Sequence, residues 1–261
     1  YTYDHSEIDF GIGYTDVRSA FAMTDFAINE QFRFSGGLRA EQSVIHTDIY
    51  AYDRAGYPAG HPERVFPSRS GPASPQGEAG SSLDPGHIKK LDFLPSLNIV
   101  YKIRDDSQAL MNGRLSYSRS LARPSIREIS PSYIYDYQLT SWLIGNPDLE
   151  ATSIDNFDLR FESFKPSSGN YSASLFFKNF KNHIELSYEG NIFVRNNPTG
   201  KAYGIELEGR KNITRDLSAG ANITYVYSNT TGYTYDLWDS IDGSYSRQMF
   251  GQAPYIINGL V

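Results

Sequence analysis

Residues 203–210 read YGIELEGR. Taken alternately, Tyr203, Ile205, Leu207 and Gly209 fall on one side, and Gly204, Glu206, Glu208 and Arg210 on the other. Successive side chains of an extended strand point to opposite faces, so a period of two marks a strand with one greasy and one charged face. The same split recurs along the chain. In 32–41, Phe32, Phe34, Gly36, Leu38 and Ala40 oppose Arg33, Ser35, Gly37, Arg39 and Glu41. In 97–104, Leu97, Ile99, Tyr101 and Ile103 oppose Asn98, Val100, Lys102 and Arg104. Phe157, Leu159 and Phe161 oppose Asp158, Arg160 and Glu162; Tyr171, Ala173, Leu175 and Phe177 oppose Ser172, Ser174, Phe176 and Lys178. Ala219, Ala221, Ile223, Tyr225 and Tyr227 oppose Gly220, Asn222, Thr224 and Val226. Residues 113–121 alternate too, with Arg119 on the apolar side, and 17–28 read as a strand with a blurred pattern. The fold class is all-β.

Alternation does not say whether the apolar face meets lipid or the second sheet of a soluble sandwich. The connections separate the two. Tight links follow Arg104 (DDSQ), Phe164 (KPSSG) and Lys211 (NITRD). Between them lie long stretches without periodicity, at about 53–87, 123–151, 187–199 and 228–252, the first crowded with Pro and Gly. Several such loops count against a compact soluble domain. An outer-membrane barrel expects them, with short turns on one side and long loops on the other, and each span needs only about 9–11 residues. Tyr101, Tyr117, Tyr203, Tyr227 and Trp142 at strand ends suit an aromatic girdle. These features predict an antiparallel transmembrane β-barrel segment of about eight to nine strands. The alternatives are a small passive porin or adhesin barrel and a soluble carbohydrate-binding β-sandwich.

Composition narrows the function. Of the 261 residues, 39% are hydrophobic and 14% aromatic, with 20 Tyr against 2 Trp. A net charge of −6 argues against nucleic acid as a partner, because phosphate binding needs a basic field. The absence of Cys removes disulfides, thiolate metal sites and Cys nucleophiles. No run of about 18 apolar residues encodes a membrane helix, which leaves strands free to cross. The chain starts at Tyr1 without an initiator Met or signal segment and ends in YIINGLV, within a strand pattern. It reads as a piece of a longer protein.

Catalytic patterns are missing. The five histidines, His5, His46, His61, His87 and His183, are scattered, and no GxSxG elbow, P-loop or zincin pair occurs. His183 is expected to be a solvated loop residue. GIG at 11–13 lacks the rest of a dinucleotide fingerprint and reads as a turn or a close-packed strand. Asp158, Glu162, Glu206 and Glu208 alternate with Arg160 and Arg210 on polar faces, which reads as a charge ladder and not as a glycosidase pair. Sequons at Asn170, Asn212, Asn222 and Asn229 are discounted, because so short a triplet recurs by chance in a chain rich in Asn, Ser and Thr, and Asn222 also lies inside a span. The one cluster suited to binding is Tyr133, Tyr135, Tyr137 and Trp142, whose rings offer stacking area with polar tips. Its competing role is a girdle or a self-packed loop. Neither a cofactor nor a metal is expected.

Six blocks in order carry a family resemblance: LDFLPSLNIVYKIRDDSQ, LSYSRSLARPSIREISP, GNPDLEATSIDNFDLRFE, ASLFFKNFKNHIE, KAYGIELEGRKN and GQAPYIIN. Together, from about Lys90 onward and more loosely over 17–41, they resemble the barrel of TonB-dependent outer-membrane receptors. The run ARPSIREISP followed by GNPDL is similar to members common in Bacteroidetes-type bacteria. The resemblance implies a barrel of 22 strands in the outer membrane of a Gram-negative cell. It implies a plug inside that barrel, a box that reaches periplasmic TonB, and uptake of a siderophore, haem, cobalamin or glycan. It implies no enzyme. No plug, TonB box or terminal aromatic strand is recognisable here, and two strand edges stay open.

Within such a barrel, Leu97, Ile99, Ile103, Leu115, Phe157, Leu159, Phe161, Leu175, Phe177, Ile205, Leu207 and Ile223 are expected to face lipid. Arg33, Arg39, Lys102, Arg114, Asp158, Arg160, Glu162, Lys178, Glu206, Glu208 and Arg210 are expected to face the lumen or plug. Spin labels walked along 203–210 test this. Oxygen access should alternate, high at Ile205 and Leu207 and low at Glu206 and Glu208; equal access at Ile205 and Glu206 would defeat the assignment.

Overall fold

The computed structural model describes residues 10–50, 86–130, 133–138, 140–165, 169–214, 217–235 and 241–260. Hairpins β1 (Phe10–Ala27), β2 (Phe32–Tyr50), β3 (Gly86–Asp105) and β4 (Leu110–Ala122) come first. A four-residue helix α1 (Ile126–Ile129) and short strands β5 (Tyr133–Asp136) and β6 (Ser141–Ile144) interrupt them. Then follow β7 (Thr152–Lys165), β8 (Gly169–Glu189), β9 (Asn191–Asn212), β10 (Ser218–Tyr235), β11 (Ile241–Arg247) and β12 (Tyr255–Leu260). All twelve strands join one sheet, ordered β1-β2-β3-β4-β7-β8-β9-β10-β11. β11 pairs with 230–235 of β10 and β12 with 220–225, so the two occupy one position in the wall. The wall therefore has nine positions, in line with the eight to nine strands expected.

Strand register sorts the two faces. Tyr117, Phe157, Phe177, Tyr203 and Tyr227 lie directly across from one another on five adjacent strands. Neighbouring rings touch, at 4.9 Å for Tyr117–Phe157 and 5.2 Å for Tyr203–Tyr227. One step toward the long-loop end, the same face carries Arg119, Asp155, Asn179, Lys201 and Asn229. Arg119 donates to Asp155 at 2.8 Å and the Tyr117 hydroxyl to the same oxygen at 2.9 Å, which explains why Arg119 breaks the apolar pattern. Toward the other end come Leu115, Leu159, Leu175 and Ile205, and then Phe161, Ala173, Leu207 and Ile223. Lys165 and Lys211 close the band. From Asp155 to Lys165 is about ten residues, roughly 33 Å of strand at ~3.3 Å each. At a tilt of ~40° that is about 25 Å of height, the apolar band of a membrane barrel. Leu159 and Leu207 sit inside it, 53% and 47% exposed, with no layer of the described chain over them.

The turns at the lysine end are short. Asn29 accepts from the Gln31 and Phe32 amides to close β1 to β2. Asp106 closes β3 to β4 by accepting from the Gln108 and Ala109 amides. The Arg104 guanidinium, with those two amides, holds the Asp106 carboxyl below the usual carboxylate range.

At the opposite end the chain folds back over the polar face. Ser125 and Glu128 form a capping box on α1, each side chain bonding the other's backbone amide. α1 packs on β1 and β2: a Cβ on Gly13 would collide with Ile126, and one on Gly86 with the Ile129 carbonyl. Residues 145–149, GNPDL, then close against α1. The Asn146 amide donates to the Glu128 carbonyl at 2.7 Å, and Gly145 lies so close to the Ser130 carbonyl that no Cβ fits. Asn146 caps its own turn, its side-chain oxygen accepting from the Asp148 amide at 3.0 Å. Leu149 is thereby buried with Ile45 of β2, Ile129 of α1 and Val194 of β9, flanked by Ile88, Leu143, Ile184 and Leu186.

This core reaches across the sheet because the β8–β9 hairpin departs from the wall. Asn182 has φ 53°, and Asn182 and Pro198 are the one rung absent from an otherwise continuous ladder between 169–189 and 191–211. β10 pairs with β9 only as far as Thr199. Past that point both faces of the hairpin are covered. Ile184, Leu186 and Val194 meet the apolar core, while Glu185 and Asn197 bond toward β10 and β11. Gly190, at φ 79°, turns the tip, and residues 192–193 accept β6 as a parallel neighbour.

Three of the stretches expected to lack periodicity are corrected. Residues 187–199 belong to the β8–β9 hairpin; the pattern is obscured because residues on both faces, such as Val194, Arg195 and Asn197, are buried and Pro198 reads as a breaker. Residues 228–235 and 241–247 are paired strand. Residues 123–151 hold α1, β5 and β6 and pack on the wall. Of 53–87, all but 86 and 87, which open β3, lie outside the described residues. Leu149→Ala should remove about 2–5 kcal/mol of stability, read as a lower denaturant midpoint for the full-length protein in detergent. A midpoint equal to wild type would show that the cluster does not hold the fold.

Candidate functional site

Each of the eleven charged positions singled out from sequence falls on the face opposite the aromatic row. Not all of them interact. Arg114 reaches Glu162 at 3.5 Å, Arg160 reaches Glu162 at 2.7 Å and Glu208 at 3.5 Å, and Arg160 also donates to Ser174 at 3.0 Å. Ser172 donates to Glu208 at 3.4 Å. One ladder thus crosses β4, β7, β8 and β9, with the two serines bridging β8. Arg33 instead forms a two-pronged pair with Asp25 at 2.8 Å, and Lys102 pairs with Asp105 at 2.8 Å. Arg210 donates to Ser218 at 3.2 Å. Asp158, Lys178 and Glu206 share the face without joining this ladder. The Arg33–Asp25 and Lys102–Asp105 pairs are exposed and contribute about 0–1 kcal/mol each, whereas Glu162, 8% exposed, is the covered centre of the ladder.

Two buried polar centres had no sequence signature. Glu41, 5% exposed, accepts from Arg39 at 2.7 Å and from Arg123, which also donates to Ser43 at 2.9 Å. Arg123 follows β4 and so ties the returning chain to β2. The second centre is Glu185. It accepts from Asn197 at 2.9 Å, from Arg247 at 2.9 Å and from the Phe250 amide at 2.9 Å. Asn197 in turn donates to Thr230 at 3.1 Å and to the Tyr245 hydroxyl at 3.4 Å. Residues 248–254 leave the wall between β11 and β12, seating Met249 in the buried space beside Gly200 while Phe250 stays exposed. The partners come from four strands far apart in sequence, so no local motif announces them. His183 belongs here too: it lies within β8, 3.8 Å from Glu185 and 5.2 Å from the Phe180 ring, and is no loop residue.

Three of the four loop aromatics come together. Tyr135 meets Tyr137 at 5.1 Å and Trp142 at 5.3 Å, both edge to face, on the β5–β6 hairpin. Tyr137 is 85% exposed. Tyr133 opposite Ile144 closes the same hairpin by its backbone. Perpendicular rings frame a notch rather than a flat platform. Tyr188, also exposed, lies at the neighbouring β8–β9 tip, where Ser141 bonds the Gly190 carbonyl at 3.4 Å. Among the described residues no group of three or more His, Asp or Glu is placed to hold a metal.

Comparison with known proteins agrees with this architecture. The model of the TonB dependent receptor-like β-barrel family matches residues 2–258. Among solved structures, the Serratia marcescens hemophore receptor HasR is similar, with 15% identity over 84% of this chain and 35% of that one, at a TM-score of 0.56. The copper transporter OprC shares 13% identity over 95% of this chain and 40% of its own, at a TM-score of 0.53. The siderophore receptor PirA of Pseudomonas aeruginosa shares 15% identity over 85% of this chain and 45% of its own, at a TM-score of 0.49. The chain thus spans less than half of each of these proteins. Among curated protein sequences no relative matches. A wall of nine antiparallel positions, an apolar band of barrel height and a family match over nearly the whole length make one conclusion: the chain belongs to the family of TonB-dependent receptor β-barrels.

Proposed function

We propose that the chain is wall and loop structure of a transporter in the outer membrane of a Gram-negative bacterium. Such a transporter takes up a scarce nutrient (a siderophore, haem, cobalamin or a glycan) with energy delivered through TonB. The observation that carries this is the two-faced wall. Its apolar band of about 25 Å, bounded by Arg119–Asp155 at one edge and Lys165 and Lys211 at the other, matches the hydrocarbon thickness a barrel needs. Leu97, Ile99, Ile103, Leu115, Phe157, Leu159, Phe161, Leu175, Phe177, Ile205, Leu207 and Ile223 face lipid on this reading. The polar face with Arg114, Arg160, Glu162 and Glu208 lines the lumen, where a plug domain and solvent meet it. A soluble sandwich would need a second sheet over Leu159 and Leu207.

The long-loop end, with Tyr135, Tyr137 and Trp142 at its crest, is the outer side and meets the ligand first. Tyr133 belongs to the same hairpin. Aromatic edges and hydroxyls there suit an organic ligand with apolar rings or sugar faces.

Two measurements check this proposal. Leu159→Arg or Leu207→Arg in the full-length protein should destabilise the barrel by ~2–4 kcal/mol at the bilayer midplane, while Glu206→Arg leaves folding intact; equal effects would sink the orientation. A strain lacking the gene should lose growth on one limiting nutrient, iron source or glycan, and the loss should be reproduced by removing TonB. Uptake that persists without TonB would mean a passive pore.

A further inference from the structure

Register aligns Tyr14 of β1 with His46 of β2, and His46 with His87 of β3, in one row across three strands. The His46 and His87 rings lie 5.4 Å apart, and the Tyr14 ring lies 5.5 Å from His46. This row plays no part in the polar-face ladder, the aromatic notch or the apolar band. It is on the apolar-face side of the sheet, but toward the loop end, beyond Asp16 and Arg18, whose 2.9 Å ion pair marks polar surroundings. Among the described residues Tyr14 is 53% exposed there and His87 is exposed too, whereas His46 between them is half-buried.

We propose that Tyr14, His46 and His87 form a binding site for a first-row divalent ion that favours imidazole, Cu(II) or Zn(II). Imidazole nitrogen binds such ions at about 2.0–2.1 Å. Two rings sharing one ion at a tetrahedral angle then have centroids roughly 5 Å apart, close to the separation seen. The Tyr14 phenol adds a third donor beside His46, and water completes the shell. Imidazole and phenolate favour Cu(II) and Zn(II), whereas Ca(II) and Mg(II) need oxygen-rich shells that this row lacks. The sheet orients the donors in advance, because the β1–β2 register runs unbroken from Phe10–Tyr50 to Ala27–Arg33 and the β2–β3 register unbroken beside it. Directly behind the row, Gly13, Thr47 and Gly86 form the floor on which α1 sits. An ion at the row therefore ties the loop ends of three strands together beneath the α1 anchor.

The test uses the full-length receptor in detergent, stripped with a chelator and titrated with Cu(II) under electron paramagnetic resonance, then with Zn(II) by calorimetry. One equivalent should bind, with nitrogen hyperfine structure in the Cu(II) spectrum, and excess Ca(II) should not displace it. His46→Gln and His87→Gln should each weaken binding by at least the ~10–100-fold that loss of a mere supporting partner costs. Tyr14→Phe should weaken it less, and His183→Gln should leave it unchanged. The metal should raise the unfolding temperature of wild type but not of the His46→Gln/His87→Gln double variant, whose heat-modifiable gel shift verifies that its barrel is folded. Absence of one-equivalent binding, or binding that the folded double variant retains, overturns the proposal. Because neither readout involves uptake, it stands or falls apart from the transport reading.

Discussion

In hydrocarbon a backbone amide or carbonyl has no water to bond, so each must find its partner inside the protein. Every other property of this wall follows from that constraint. Strands must pair without gaps, which sets the antiparallel ladder from β1 to β10. Once paired, each strand presents alternate residues to two solvents, and the sequence must alternate to match. The band that results is bounded where the alternation changes chemistry, at Asp155 and at Lys165. Outside the band water returns, the rule relaxes, and the chain becomes free to fold over the polar face.

That difference explains which parts of the molecule could be read from the sequence. Residues 203–210 have one greasy and one charged face, so their place in a two-faced wall is written in a period of two. The charged positions on the polar face follow from the same rule, although which of them pair depends on register. Arg114 meets Glu162 through strands some fifty residues apart in sequence, and Arg33 turns instead to Asp25. The hairpin at 183–197 was hidden for a physical reason: apolar packing covers one of its faces and hydrogen bonds cover the other. Glu185 and Asn197 are polar residues in a buried place, and their pattern is indistinguishable from that of a solvated loop. His183 lies in β8 and not in a loop for the same reason. The broken wall strand is hidden because GQAP reads as the end of a strand and not as a detour within one.

The core is unusual in its position. A soluble β-protein buries its apolar residues between layers; here Ile45, Ile129, Leu149 and Val194 gather on the polar face at one end only. The wall itself has its large apolar residues exposed. Hydrophobic burial within the chain therefore organises the loops, while the barrel's own apolar surface is left for the membrane to cover. Glu41 and Glu185 support that arrangement, Glu41 accepting from Arg123 and Glu185 from Arg247 and the Phe250 amide.

The clasp between Ser130 and Gly145, with Asn146 bonded to Glu128, closes the base of residues 131–144. The aromatic notch beyond it is held by this neck and by the pairing of β6 with β9. An insertion or exchange within that stretch lengthens a loop whose ends are already held together, and closure entropy grows only as the logarithm of loop length. The packing beneath is spared when the change falls at the turn between β5 and β6, because Leu143 and Ile144 of β6 are themselves packed and paired with β9. The β5–β6 hairpin is thus held at its base, with Glu128 and Ser130 on one side and GNPDL on the other.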